Sequence, residues 1–352
     1  PHPLAPARKA DRVDILIVGA GISGLTTARM LATDGHNVTV VEQSPRPRAE
    51  GAGLILPVDT VTSLERAGVR LAGLGLPLAG MTITSSRGGK KATVRGRVAF
   101  ARAELLTALE EAAGAVADLH YGTSARYDTA RAAVVADGMS DTFNLVVAAD
   151  GLRSSLRDPV MGSATAFRYS GQVCWRGIVE TDLSISETCA TEMWNGIARI
   201  GVVPLTRSRT YVYVVKSSPS LESRELGNIP GLEAREQQAL TALKALPPQQ
   251  LLCHEIWELD RPVWGSANVV LLGDAAHGTT PNLGLGAAMA IEDAATLTHS
   301  LRHTDSPLST YRRARHARVR PTQLTSRAVG QLAHDQSWAP TLFRRTIGLT
   351  AT

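Results

Sequence analysis

Two glycine-rich turns and three acids define the chemistry open to this chain. Gly19, Gly21 and Gly24 stand at GxGxxG spacing within "DILIVGAGISGL". Such a turn brings backbone amides against a pyrophosphate: the first glycine makes the tight turn, the second lets the backbone approach the ligand, and the third lets the following helix pack on its strand. Glu42 ends the next β-rich run, "NVTVVE", about 20 residues on, where a carboxylate accepts hydrogen bonds from ribose hydroxyls. It would repel a 2′-phosphate, which points to FAD or NAD rather than NADP.

The second turn, "LLGDAAHGTTPNLGLGAA", spans residues 271–288 and carries Asp274 after an apolar run. The carboxyl end of a strand is where a doubly wound sheet opens its ligand crevice. Gly284 and Gly286 keep the turn free of side chains, so that amides opening the next helix face a ligand and favour negative charge on it. Pro281 donates no backbone hydrogen bond and fixes the loop through its φ. An aspartate buried there with no partner would be costly, which favours a ligand over an empty turn. Asp150, the third acid, closes "LVVAAD" just before Gly151. His277 is read as packed behind the turn in a structural role rather than as a general base.

The elements that hold these residues read as α/β. "DILIV", the glycine turn, "LTTARMLATDG" and "NVTVVE" form one βαβ unit with a parallel pair of strands. "TVTSLERAGV" is helical in pattern, followed by an irregular stretch to about residue 99 with hairpin signals at "RGGK". "ARAELLTALEEAA" is a helix whose Leu105, Leu106, Leu109 and Ala113 share a face, and "LVVAAD" and "NVVLLGD" are buried strands. From about 166 to 216 the texture changes: "QVCWRGIVE" and "RTYVYVVKS" predict an antiparallel sheet. Residues 219–250 read as polar and helical up to Pro247 and Pro248, and the tail from about 289 as helical, interrupted at Pro321.

The expected organisation is a discontinuous cofactor domain (11–70, 100–165 and 255–300), a substrate domain (71–99 and 166–254) and a C-terminal helical extension (301–352). A chain of 352 residues with 44% hydrophobic content supports both cores. Three widely spread cysteines indicate neither a disulfide framework nor a metal site, and suggest a reducing, cytoplasmic home. The net charge of +5 is almost wholly arginine and is not interleaved with aromatics, so no nucleic-acid partner is read from it. No apolar run reaches the roughly 18 residues of a membrane span. The arginine-rich "YRRARHARVRP" reads as a solvated helix face, and the chain as a monomer or homodimer.

"VVAADGLRSSLR" (146–157) and "LLGDAAHGTTPNLGLGAAMAIEDA" (271–294), after the GxGxxG turn, resemble the DG and GD motifs of class A FAD-dependent monooxygenases, the para-hydroxybenzoate hydroxylase-like family. The texture is nearest to salicylate hydroxylase-like, urate hydroxylase-like and zeaxanthin epoxidase-like members. The resemblance implies a Rossmann-like FAD-binding domain with a β-sheet substrate domain and C-terminal helices. It implies an FAD monooxygenase that takes electrons transiently from NADPH or NADH and passes oxygen from a C4a-hydroperoxyflavin to an electron-rich ring or double bond. Its partners would be a small-molecule substrate and O2.

Carried over residue by residue, the resemblance places Asp274 at a ribityl hydroxyl, Gly284, Leu285 and Gly286 at the flavin, and Pro281 beside its reactive edge. It places Arg102 on the pyrophosphate or ribose side, and Asp150 near both FAD and the nicotinamide. Arg199, in "ARIGVVP", and Tyr211, in "RTYVYVV", match polar substrate positions of the urate hydroxylase-like group, the alternative being surface strand residues. Arg48, near the "GAG" at 51–53, reads as an exposed loop arginine, the alternative being a phosphate contact. Two departures stand out: Leu285 replaces the usual glutamine of "GQG", and Asp59 stands where an asparagine is usual. Leu285 keeps open a non-oxygenating FAD cyclase or isomerase of natural-product assembly, and a third reading is a flavin-binding protein without turnover.

Overall fold

The computed structural model describes residues 12–46, 52–85, 91–139, 143–180, 188–220 and 225–334. Arg48 and the "RGGK" turn lie outside them. A six-stranded sheet runs in the order Gly265–Ser266, Val269–Leu271, Leu145–Ala148, Asp14–Val18, Asn37–Glu42, Asp118–Tyr121, parallel except for the first pair. Its central strands are apolar because both faces are covered: Leu145–Ala148 and Val269–Leu271 are buried throughout. The helix Ile22–Thr33 packs against helices Arg102–Gly114 and Gly286–His303. Leu105, Leu106, Leu109 and Ala113 are all buried, as their spacing implies.

A second, seven-stranded sheet runs Leu252–Leu259, Phe167–Val179, Thr210–Ser217, Ala198–Pro204, Cys189–Trp194, Gly80–Ser85, Lys91–Val94. It is antiparallel apart from the Cys189–Trp194 and Gly80–Ser85 pair, which is parallel. The strand Leu252–Leu259 belongs to it as a whole, so this sheet runs past residue 254. One face packs Val173, Trp175, Ile200, Val202, Val212 and Val214 against Leu240 and Leu243 of helix Ala234–Lys244. The alternate residues face the other way. A three-stranded antiparallel sheet consists of Gly53–Pro57, Arg97–Ala101 and Leu76–Leu78.

Two readings change. The stretch before residue 99, expected to be irregular apart from hairpin signals at "RGGK", holds strands Leu76–Leu78, Gly80–Ser85, Lys91–Val94 and Arg97–Ala101; Gly80–Ser85 and Lys91–Val94 pair antiparallel on either side of that signal, while Gly80–Ser85 also pairs with Cys189–Trp194 and Arg97–Ala101 with Gly53–Pro57. Pro321 does not interrupt the tail: a single helix runs Pro307–His334 through it. A proline within a helix sacrifices a backbone hydrogen bond, at about 3 kcal/mol. Tertiary anchors on both sides offset this: Arg320 Nη1 donates to the Asp260 carbonyl (2.7 Å), Gln323 Nε2 to the Leu259 carbonyl (2.8 Å), and Arg327 Nε pairs with Glu258 at 2.6 Å.

Candidate active site

The carboxyl ends of the parallel strands and the free face of the seven-stranded sheet enclose one cavity of about 460 Å³. Its cofactor half starts at the first glycine turn. Gly19 has φ +106°, and a Cβ there would lie 2.5 Å from the Ala149 carbonyl oxygen; at Gly24 it would lie 1.8 Å from that of Gly19. Among the described residues a Cβ at Gly21 would meet nothing within 4 Å, and Gly21 lines the cavity. Two glycines therefore serve packing, and the middle one leaves room for a ligand.

Glu42 accepts from the Ala20 amide (3.0 Å) and the Ser44 amide (2.8 Å), bracing the turn beside the cavity rather than lining it. Asp150 Oδ2 accepts from the Ser155 amide at 2.9 Å, and its Oδ1 is buried without a hydrogen-bond partner among the described residues. Burial raises the pKa of Asp150, opposed by the Ser154 hydroxyl and local amides. Its neighbours Ala149 and Gly151 line the cavity, while Asp150 itself stands behind them.

Asp274 lines the cavity and is exposed to it while lying deep within surrounding protein. Burial raises its pKa, and His277 and Arg102 pull the other way. Arg102 opens its helix, hydrogen-bonded through its amide to Ala52, and also lines the cavity. Pro281 begins a short 3₁₀ turn, Pro281–Leu283, closed by Gly284 at φ +63°. The helix Gly286–His303 then starts with no side-chain cap and no acid in its first turn, with Gly286 and Ala287 lining the cavity. Uncapped amides at a helix start are orphan donors that suit an anionic or carbonyl-rich ligand.

His277 and Asp293 hold this turn from behind. His277 Nε2 lies 2.6 Å from Asp293 Oδ2, which also accepts from the Gly273 amide (2.8 Å), and Arg315 Nε donates to Oδ1 at 2.5 Å. Burial would raise the Asp293 pKa, but His277, Arg315 and the Gly273 amide outweigh it and hold it below the ordinary carboxylate value. His277 is buried and faces Asp293. Asp59 is exposed and does not line the cavity.

The substrate half is built by period-2 alternation on four strands. Arg199 is 2% exposed and Tyr211 is 8% exposed, and both line the cavity, so neither is a surface residue. Arg199 Nη1 lies 3.5 Å from Glu192 Oε1, and its Nη2 donates to Asn282 Oδ1 at 2.6 Å. Glu192 also accepts from the Trp194 indole and the Tyr213 hydroxyl. Tyr213 reaches it across Gly201, where a Cβ would lie 2.0 Å from the ring. Burial, with Glu192 adding, raises the Tyr213 pKa well above its usual value. Cys174 is pushed up to about 11 by burial, with Arg176 and Arg199 opposing. Arg176, Glu192, Trp194, Tyr213 and Asn282 were not singled out from the sequence. Tyr213 and Tyr211 share one strand face at i, i+2, a signal that was present.

The fold and cavity define a flavoprotein that joins a doubly wound dinucleotide domain to a substrate sheet, and the free space at Gly21, the exposed Asp274 and the uncapped helix start fit FAD. The chain belongs to the FAD binding domain family, whose model matches residues 12–326. It is an FAD-dependent monooxygenase, as its relatives are. It is 32% identical to 2-heptyl-3-hydroxy-4(1H)-quinolone synthase of Pseudomonas aeruginosa, covering 95% of this chain and 93% of that protein. It is 28% identical to the FAD-dependent urate hydroxylase of Mycolicibacterium vanbaalenii, covering 91% and 88%. The solved structure of Klebsiella pneumoniae HpxO complexed with FAD and uric acid is similar at a TM-score of 0.79, with 26% identity, covering 96% of this chain and 93% of that one. Among the described residues no helix is long and apolar enough to cross a membrane, and no group of three or more His, Cys, Asp or Glu could hold a metal ion.

Proposed function

We propose that this chain uses NADH or NADPH and O2 to hydroxylate or epoxidise an aromatic or unsaturated small molecule. Bound FAD supplies the redox chemistry, accepting electrons from the nicotinamide and delivering one oxygen atom of O2 to the substrate. Gly21, Arg102, Asp274 and the turn Gly284–Leu285–Gly286 hold the cofactor, with Gly19, Gly24, Glu42 and Asp150 shaping their support. The uncapped start of helix Gly286–His303 favours negative charge beside it. Pro281 positions the loop between cofactor and substrate, while Arg199 and Tyr211 stand on the substrate wall. Met81, Ile83, Trp194, Leu283 and Val329 line the cavity with apolar surface that excludes water from the reacting atoms.

The observation that carries this reading is the single cavity, which residues of both halves line together: Asp274 and Arg102 on one side, Arg199 and Tyr211 on the other. The test is an absorption spectrum of the purified protein, followed by NADH and NADPH oxidation across aromatic, purine and terpenoid compounds, with incorporation of labelled oxygen from ¹⁸O2. A flavin spectrum and one compound that both stimulates nicotinamide oxidation and acquires label are expected. A protein that takes up no FAD, or one that turns substrate over without consuming nicotinamide, would overturn it.

A further inference from the structure

We propose that Arg176 anchors the substrate, and that the substrate is a largely apolar ring system carrying one anionic oxygen group, either a carboxylate or an acidic enol. This rests on the proposed function only in placing the substrate in this cavity. Arg97, Arg102, Arg176 and Arg199 all line it. Arg199 is neutralised internally by Glu192 and has a second partner in Asn282. Arg102 acts on Asp274 in the cofactor half.

Arg176 is different. Among the described residues it makes no ion pair, whereas Arg199 has Glu192; its Nε, like that of Arg199, is buried without a hydrogen-bond partner there. Its register opposite Tyr213 puts it on the cavity face, in line with Cys174 on its own strand. The Tyr211 hydroxyl lies beside it: burial raises the Tyr211 pKa, and the Arg176 guanidinium pulls it back. Glu192 offers little, since Trp194, Tyr213 and Arg199 already occupy it. A half-buried, cavity-facing guanidinium whose Nε is an unmet buried donor calls for an acceptor, and a planar anionic oxygen pair meets its fork best.

The charge balance of the substrate half agrees. Arg97, whose hydrogen bond is to the Gly96 carbonyl at 3.4 Å, joins Arg176 and Arg199 against one carboxylate, that of Glu192, among the described residues of this half. The remaining wall, including Met81, Ile83 and Trp194, suits a ring. The ligand therefore has an apolar body and one negative end.

The test uses FAD-loaded protein and reads ligand binding through perturbation of the flavin spectrum. Two matched pairs separate the two sources of anionic oxygen: 1-naphthoate against 1-naphthamide, and 4-hydroxycoumarin against coumarin. In at least one pair the anion binds about tenfold tighter or more. Arg176→Gln loses that preference with little change for the neutral ligand, and Arg176→Lys retains part of it. No anion preference in either pair, or a preference that survives Arg176→Gln, overturns the assignment. If Arg176→Gln does not retain FAD, a crystal structure of the wild-type holoenzyme with the preferred anion decides: its oxygen lies within hydrogen-bond distance of Arg176, or the assignment falls. A protein that prefers anions but oxidises no nicotinamide sinks the proposed function alone, and an active enzyme indifferent to ligand charge sinks this inference alone.

Discussion

Arg199 donates through Nη2 to Asn282 Oδ1 at 2.6 Å, which ties the centre of the substrate sheet to the loop that begins at Pro281. The same Asn282 donates through Nδ2 to the Thr280 hydroxyl (2.9 Å) and to the Ser326 carbonyl (2.8 Å) of the last described helix. One side chain thus joins three parts of the cavity wall. Because Arg199 is held by Glu192 and Asn282 together, its position is set before any ligand arrives, and a substrate meets a rigid wall rather than a mobile cation.

The last two glycines of the first turn should separate fold from cofactor binding. Gly21→Ala adds a methyl group that meets no atom of the described residues beyond its chain neighbours within 4 Å. The apoprotein should keep its melting temperature while FAD affinity falls, about tenfold or more, because the methyl group occupies the ligand's approach. Gly24→Ala would place a Cβ 1.8 Å from the Gly19 carbonyl oxygen. It should destabilise the apoprotein by about 1–3 kcal/mol, as overpacking of a tight contact does. Thermal unfolding without FAD, then a flavin titration, distinguishes them; equal melting losses in both variants would contradict the assignment.

Gly201 should be intolerant for a different reason. A Cβ there would lie 2.0 Å from the Tyr213 ring, so Gly201→Ala must move the ring away from Glu192. The expected loss is about 1–3 kcal/mol of stability, accompanied by weaker substrate binding and unchanged FAD affinity. Tyr213→Phe on the wild-type backbone should show the binding loss with less destabilisation, since it removes the hydroxyl without crowding. Urea unfolding and ligand titration of the two holoproteins provide the comparison.

What the sequence showed was the part of the site that is local along the chain. Gly19, Gly21, Gly24, Glu42, Asp274 and the Pro281–Gly286 turn each sit within a strand–turn–helix segment whose spacing carries the chemistry. The substrate wall is not local. Glu192, Arg199, Tyr213 and Arg176 come from four strands, and the register that aligns them depends on pairings such as Trp194 with Arg199 and Arg176 with Tyr213. Strand alternation shows that Tyr211 and Tyr213 share a face, but not which strand lies beside them. The parallel pairing of Gly80–Ser85 with Cys189–Trp194 had no local signal at all. Pro321 misled because its cost is a local rule, whereas its compensation comes from Leu259 and Asp260 at the end of a strand distant in sequence.

Asp293 should make stability depend on acid pH. Its folded pKa lies below the ordinary 3.8. Above that ordinary value the carboxylate is ionised in both folded and unfolded chains, and its stabilisation is fully present. As pH falls from there through the depressed folded value, the unfolded chain takes up the proton first and the stabilisation is lost. Asp293→Asn should flatten this part of the profile. At neutral pH it should cost about 3 kcal/mol, because the buried Arg315 keeps only Glu292 as a charged partner. Urea unfolding at saturating FAD, from neutral pH to about pH 3, measures both, and an unchanged acid slope would count against the role given to Asp293.

Asn282→Ala tests whether the join between loop and sheet governs substrate rather than cofactor. The substitution leaves Arg199 Nη2 without its 2.6 Å acceptor and removes the two donor bonds to Thr280 and Ser326. A buried charged donor left unmet costs about 1–3 kcal/mol. That cost has two routes of relief. If Arg199 stays and takes up water or ligand, substrate affinity changes while FAD content does not. If the loop itself shifts, Pro281 and the Gly284–Gly286 turn move with it, and FAD affinity falls as well. Two contacts that do not involve Asn282 favour the first route, because they keep the loop on the helix when the side chain is shortened: the Thr280 and Ser326 hydroxyls lie 2.9 Å apart, and the Ser326 hydroxyl donates to the Thr280 carbonyl at 2.7 Å. The expected result is therefore a rise in substrate KM with FAD affinity within about twofold of wild type. Flavin titration and steady-state kinetics on the same preparation decide it, and a parallel loss of FAD would show that Asn282 holds the cofactor loop instead.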